Sequence, residues 1–111
     1  MSKYTTHLTG DFNSTLQTIH NGILDASMSA SFEESEEFVN GETRCAVRVY
    51  ERYSYMGKNR CSMSVTLFGK DGDLHLTAIT SGGSQAMFFK INTFGEDAFL
   101  DTLINVVNRL W

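Results

Sequence analysis

This sequence predicts a two-layer α+β sandwich: one antiparallel sheet of five to six strands, with an N-terminal and a C-terminal helix on one of its faces. Three observations lead there. Residues 44–55 and 60–68 both alternate apolar and polar side chains around Met56-Gly57-Lys58-Asn59, the pattern of a hairpin with one buried face. Two stretches, one near each end of the chain, repeat apolar residues at helical spacing. The segments between them are short and separated by Gly-containing turns, with no proline anywhere. The 111 residues make one domain, 1–111, large enough to bury a core without staples.

Lys3 to Leu8, rich in Thr and Tyr, reads as a short strand. Asp11 is the N-cap of a helix that runs to about Asp25, with Phe12, Leu16, Ile19 and Ile23 as its apolar stripe. Gly22 weakens this helix by ~1 kcal/mol relative to Ala, a cost that close packing on the sheet would offset. Ser29 to Val39 is the next strand. Its run Glu33-Glu34-Ser35-Glu36-Glu37 suits an edge, where charge blocks pairing with other chains. Asn40-Gly41 then turns the chain into the central hairpin.

In that hairpin the inward face takes Cys45, Val47 and Val49, opposed by Cys61, Met63, Val65 and Leu67. Glu51, Tyr53 and Tyr55 share the inward parity. Glu51 conflicts with it, and a bulge turning it outward would resolve the conflict. Asp71-Gly72 makes a tight turn into the strand 73–80, which keeps Leu74, Leu76 and Ala78 on the face of Val65 and Leu67. A Ser/Gly connection, Ser81 to Gln85, leads to a last strand, Ala86 to Asn92. Thr93 and Glu96 have the spacing of a capping box. The second helix then shows Phe99, Leu100, Leu103, Val106, Val107 and Leu110 on one face, with Asp97 in its first turn and Arg109 in its last.

Composition narrows the function. Hydrophobic residues are 41% and charged residues 20%, as in a folded globular chain. The net charge of −4 disfavours a sequence-independent nucleic-acid binder, which needs surplus Lys and Arg. The first residues carry no apolar leader and no run approaches the ~20 apolar residues of a membrane span, so a cytoplasmic protein without membrane contact is expected. His7, His20 and His75 fall on three elements with no metal-ligand spacing, and no catalytic or cofactor motif stands out. No catalytic residue, metal or cofactor is therefore expected. His20, at the edge of an apolar helix face, reads as a hydrogen-bonded boundary residue. With a three-residue loop at 57–59, Tyr55 faces Cys61, and Cys45 lies roughly 33 Å from it at ~3.3 Å per residue, too far for a disulfide.

The sheet face away from the helices is the surface left for function. By the same parity it carries Arg44, Arg48, Tyr50 and Arg52, then Arg60, Ser62, Ser64, Thr66 and Phe68, then His75, Thr77 and Ile79. Ala86, Phe88 and Lys90 complete it. A solvated face, a self-association surface with Tyr, Phe and Arg anchors, and an RNA platform are the three readings. The acidic balance weighs against the last. Ser81, Gly82, Gly83, Ser84 and Gln85 offer backbone N–H groups to an anion, although such turns most often just reverse the chain. The leading expectation is an interaction module that forms a homo-oligomer through the open face or edge of its sheet. The alternative is a carrier or sensor of a small ligand or anion, with its site between the sheet and the C-terminal helix, beside Tyr53, Tyr55 and Gly82-Gly83.

Two runs carry a resemblance: Arg44 to Tyr55, and Ala78 to Glu96. They resemble a family of short bacterial proteins described as a domain of unknown function, over nearly the whole chain. The resemblance implies no activity. The element order is also similar to the strand-helix-four strands-helix arrangement of the TATA-binding-protein-like and helix-grip folds, which implies a fold but not a function.

Overall fold

The computed structural model describes residues 1–54, 59–82 and 89–111, with side chains for all of these but 54, 59 and 89–94. The order is β1 (Ser2–Leu8), α1 (Phe12–Asp25), β2 (Ala30–Asn40), β3 (Thr43–Ser54), β4 (Asn59–Lys70), β5 (Asp73–Gly82) and α2 (Phe89–Leu110). The five strands form one antiparallel sheet in the order β1-β5-β4-β3-β2, so β1 and β2 are its edges. Helix α2 packs on β5, β1 and β4, while α1 packs on α2 and reaches β2 and β4. The helices thus cover one face, and most fully the β1-β5-β4 half of it.

The core lies in that covered half. Met63, Val65, Leu67, Leu74, Leu76 and Ala78 rise from β4 and β5 against Phe12, Leu16, Ile19 and Ile23 of α1. Phe99, Leu100, Leu103 and Val107 of α2 close it. All four residues of the expected α1 stripe are buried. Asp11 caps the helix as expected, its carboxylate accepting the Ser14 N–H at 2.8 Å. A second cap comes from the β4–β5 turn: the Asp71 carboxylate accepts the Phe12 N–H at 2.9 Å, and the Gly72 N–H donates to the Gly10 carbonyl at 2.9 Å. Between β2 and β3 the last pair is Asn40 with Thr43, so the two loop residues are Gly41 and Glu42, one position later than expected. Gly41 takes φ 64°, the left-handed conformation that such a hairpin turn requires.

The β3–β4 register corrects the largest expectation. Arg52 pairs with Cys61, Tyr50 with Met63 and Ala46 with Leu67, in an unbroken ladder from Arg44–Gly69 to Ser54–Asn59. The buried odd residues of β4 therefore share a face with the even residues of β3. Ala46 and Tyr50 are buried, and Arg44, Arg48 and Arg52 point to the helix side. Cys45, Val47, Val49, Glu51 and Tyr53 face out. A slip of an odd number of residues moves every side chain of a strand to the other face. Glu51 now has a plain account, for it reaches Arg60 at 2.5 Å and accepts from Ser62 Oγ at 3.3 Å on the outer face. The bulge lies instead in β2, between Phe32 and Glu34. Both cysteines are unbridged, Cys61 buried and Cys45 half-buried on the opposite face.

The C-terminal third differs too. Residues 89–92 belong to α2 and not to a strand. A short apolar run cannot be assigned to strand or helix by periodicity alone, and this one continues the helix that follows. Thr93 consequently lies inside α2 and is no N-cap, and Asp97 is in its third turn. The expectations for Tyr55, the turn 56–58 and residues 86–88 lie outside the described residues. Leu110 is exposed, at the end of a helix whose buried face otherwise matches the expected one.

Gly22 is kept for the contact between helices and not for the sheet. A Cβ on it would meet Val106 Cγ2 at 2.3 Å. Val106 is buried and β-branched, so it yields little. Gly22→Ala should therefore destabilise by about 1–3 kcal/mol in urea unfolding, despite the better helix propensity of alanine. The double variant with Val106→Ala should lose less than the two single losses added together.

Candidate functional site

On the β3–β2 side of the covered face α1 runs beside β3 and reaches β2, and the line along which the three elements meet is termed the groove. Its side chains come from three elements. Strand β3 contributes Arg44, Arg48 and Tyr50 by alternation, since residues two apart share a face. Strand β2 contributes Phe32, paired with Tyr50, and Ser35, paired with Arg48. Phe32 and Ser35 are three apart and share the groove only because the bulge inserts one residue between them. Helix α1 contributes His20, one position after the buried Ile19.

An aromatic cluster fills the inner end of the groove. His20 Nδ1 and the Tyr50 hydroxyl form a hydrogen bond of 2.8 Å. Phe32 stands edge-on to His20 at 5.1 Å between centroids, and its ring lies 5.6 Å from that of Tyr50. The Arg48 guanidinium lies over Phe32, 5.5 Å from the ring centre, and that of Arg44 over Phe12 at 4.3 Å. Arg44 also reaches Glu37 at 3.5 Å. Arg48 is less well provided for: its Nε is buried and has no hydrogen-bond partner among the described residues. A buried, unsatisfied donor on a cation is costly. Chemically, the groove offers a cation and a hydrogen-bonded imidazole–phenol pair beside an aromatic wall, a combination that suits a planar anion.

Burial, and after it the nearby Arg48 charge, hold the His20 imidazolium below the ordinary histidine range. Burial holds the Tyr50 phenol above its ordinary range, with Arg48 working the other way. At neutral pH the pair is therefore uncharged.

The outer face is the second surface. It is built in cross-strand rows. One runs Phe38, Cys45, Phe68, His75 and His7; the next Glu36, Val47, Thr66, Thr77 and Thr5; the third Glu34, Val49, Ser64, Ile79 and Lys3. Phe38 is 63% exposed and Phe68 48%. Charge is confined to the margins of these rows.

The expected site residues thus divide. Arg48 and Tyr50 lie in the groove. Arg52 is on the same side, opposite Cys61, whose thiol burial pushes up. Arg60 is on the outer face, and Ser81 alternates with the buried Thr80 beside it. Gly82 pairs with Cys61, and its N–H donates at 2.5 Å to Glu96, a buried α2 carboxylate that also meets the Met1 amino group. Lys90 is in α2. Gly83, Ser84, Gln85 and Phe88 lie outside the described residues. Tyr53 is on the outer face and does not bound a cavity under the C-terminal helix. Phe32 was not foreseen, because its place depends on the bulge. His20 is the hydrogen-bonded boundary residue that its position on the helix indicates.

The depressed His20 pKa has a sign that can be checked. The unfolded chain takes the proton more readily than the folded one, so this contribution to stability is complete above the ordinary histidine pKa of about 6.5 and is lost as the pH falls below it. The urea midpoint should drop between neutral and mildly acid pH, and drop less in His20→Gln. In an NMR titration, Arg48→Gln should move the His20 pKa up toward its ordinary value without reaching it, because burial is the larger cause.

Comparison with known proteins adds the family and nothing about activity. No curated protein and no solved structure matches the chain. A family model matches residues 1–111, the whole length that carries the sheet, the groove and both helices. The chain belongs to the family of unknown function DUF6054.

Proposed function

We propose that this chain is an interaction module that pairs with a second copy of itself, outer sheet face against outer sheet face. The observation that carries this reading is the row Glu34-Val49-Ser64-Ile79-Lys3. It is uncharged in the middle and oppositely charged at its ends. A two-fold axis lying along the strands, between the two faces, sets β2 of one copy over β1 of the other. Each Glu34 then stands opposite the partner's Lys3, and the pair occurs twice, as in any isologous contact. Phe38, Phe68 and Ile79 fall inside the interface. Sheets pack face to face in this way about 10 Å apart, with strands within about 30° of parallel. Five strands offer roughly 700 Å² of face, near the ~800 Å² per partner of a standard interface. Edge pairing through β2 is the weaker route, because Glu33, Glu34, Glu36 and Glu37 line it. The reading takes the chain to act in the cytosol, in keeping with its unbridged cysteines.

A charge swap tests it. Lys3→Glu and Glu34→Lys should each weaken the dimer about tenfold in sedimentation velocity, since exposed pairs contribute up to ~1 kcal/mol each and each change also sets like charges together. The double swap should restore it. Ile79→Glu, at the centre of the face, should give a monomer. A native protein that stays monomeric at high concentration would remove the reading.

A second reading rests on a different observation, the Nε of Arg48, buried and without a partner among the described residues. It assigns the groove to a small anion with a planar or aromatic part, held by Arg48 and seated on Phe32. The site would lie between the sheet and the N-terminal helix. Phenyl phosphate, titrated by NMR, should shift the His20 and Phe32 resonances, and Arg48→Gln should abolish the shifts while Arg60→Gln leaves them intact. Shifts that survive Arg48→Gln would overturn this assignment.

A further inference from the structure

The pairing of β1 with β5 brings together three side chains that lie far apart in the chain. His7 and His75 are direct cross-strand partners, and their rings lie 4.7 Å apart and 36° from parallel. Asp73 is two residues before His75 and so on the same face. His7 Nε2 and Asp73 Oδ1 are 2.5 Å apart. One ligand atom from each of the three lies within 4.8 Å of the other two. Each is exposed.

We infer that His7, Asp73 and His75 form a surface site for a transition-series divalent cation of the Zn2+ class. Two imidazoles and one carboxylate are the donor set that such ions prefer over Ca2+ or Mg2+, which take oxygen ligands. Ligand atoms about 2.0–2.2 Å from a tetrahedral ion stand roughly 3.3–3.6 Å apart. Binding would exchange the His7–Asp73 hydrogen bond for bonds to the ion and draw the three ligand atoms in from their present spacing of up to 4.8 Å. The backbone under the site is held by the β1–β5 ladder, from Ser2–Thr80 to Leu8–Leu74, so little ordering is needed on binding. Phe68, opposite His75, gives the site an apolar wall. Lys70, opposite Asp73, is the cation nearest along the strands, and its long stem lets it swing away. Three protein ligands leave the remaining positions to water or to another donor, so the site is open.

Binding would clamp the edge strand β1 to β5. An ion that binds only the folded chain stabilises it in proportion to the logarithm of its concentration. The site uses residues of one chain, and because His7 and His75 share the outer-face row of Phe38 and Phe68, the proposed face-to-face contact would cover it, so Zn2+ and self-association compete.

Titration of the full chain with Zn2+, against a chromophoric chelator, tests the inference. One ion per chain is expected, with no Ca2+ binding and a thermal midpoint that rises with Zn2+ concentration. His7→Gln, His75→Gln and Asp73→Asn should each weaken Zn2+ binding tenfold or more, while His20→Gln, in the groove, should not. The three changed side chains are exposed, and circular dichroism reports whether each variant folds. The same stoichiometry is expected in Ile79→Glu, which separates the site from the face-to-face contact. No Zn2+ binding, or binding indifferent to His7 and His75, would overturn the assignment.

Discussion

The pairing of Arg52 with Cys61 across the central hairpin sets the character of both faces of this protein. Strand β4 has no freedom: Cys61, Met63, Val65 and Leu67 must meet the helices. Whatever β3 residues stand beside them go to the helix side as well. The register chooses Ala46 and Tyr50, and with them three arginines. That choice works because α2 sits over β1, β5 and β4 while α1, resting on α2 and reaching β2, leaves the ends of β3's arginines at the margin of the covered area. An arginine there lays its guanidinium on an aromatic ring and stays partly exposed, as Arg44 does over Phe12. In the middle of the core the same residue would be costly.

The outer face follows from the same constraint. With its arginines drawn inward, β3 presents Cys45, Val47 and Val49 outward, beside the hydroxyls of β4 and β5. A face expected to concentrate cations is instead nearly neutral across its centre. Such a surface fits contact with another sheet better than contact with phosphate, which needs surplus positive charge. The groove gained what the outer face lost. Arg48, Tyr50 and His20 meet there because a helix edge, a marginal strand and a bulged edge strand converge.

The Glu51 conflict, which the sequence alone attributes to a bulge in β3, comes from the register instead. Read with Cys45, Val47 and Val49 inward, β3 also sends a glutamate into the core. A continuous ladder displaced by an odd number of residues removes that conflict without any bulge in β3. Both faces of β3 carry apolar side chains, so alternation by itself could not choose between them. The helical stretch 89–92 was ambiguous for a similar reason, since a short apolar run suits a buried strand as well as a helix.

Local chemistry in the sequence determined the α+β class, the order of elements, the stripe and N-cap of α1, the edge position of the acidic strand and the buried residues of β4 and β5. Each depends on side chains within a few residues of one another, where period and capping act. Only the tertiary structure decided which face of β3 is buried, that Gly22 serves Val106, that the bulge in β2 brings Phe32 to Tyr50, and that His7 meets His75 across 68 positions of chain. These depend on register between strands and on where a helix ends its cover. Both are set by the fit of whole elements, which no local spacing encodes.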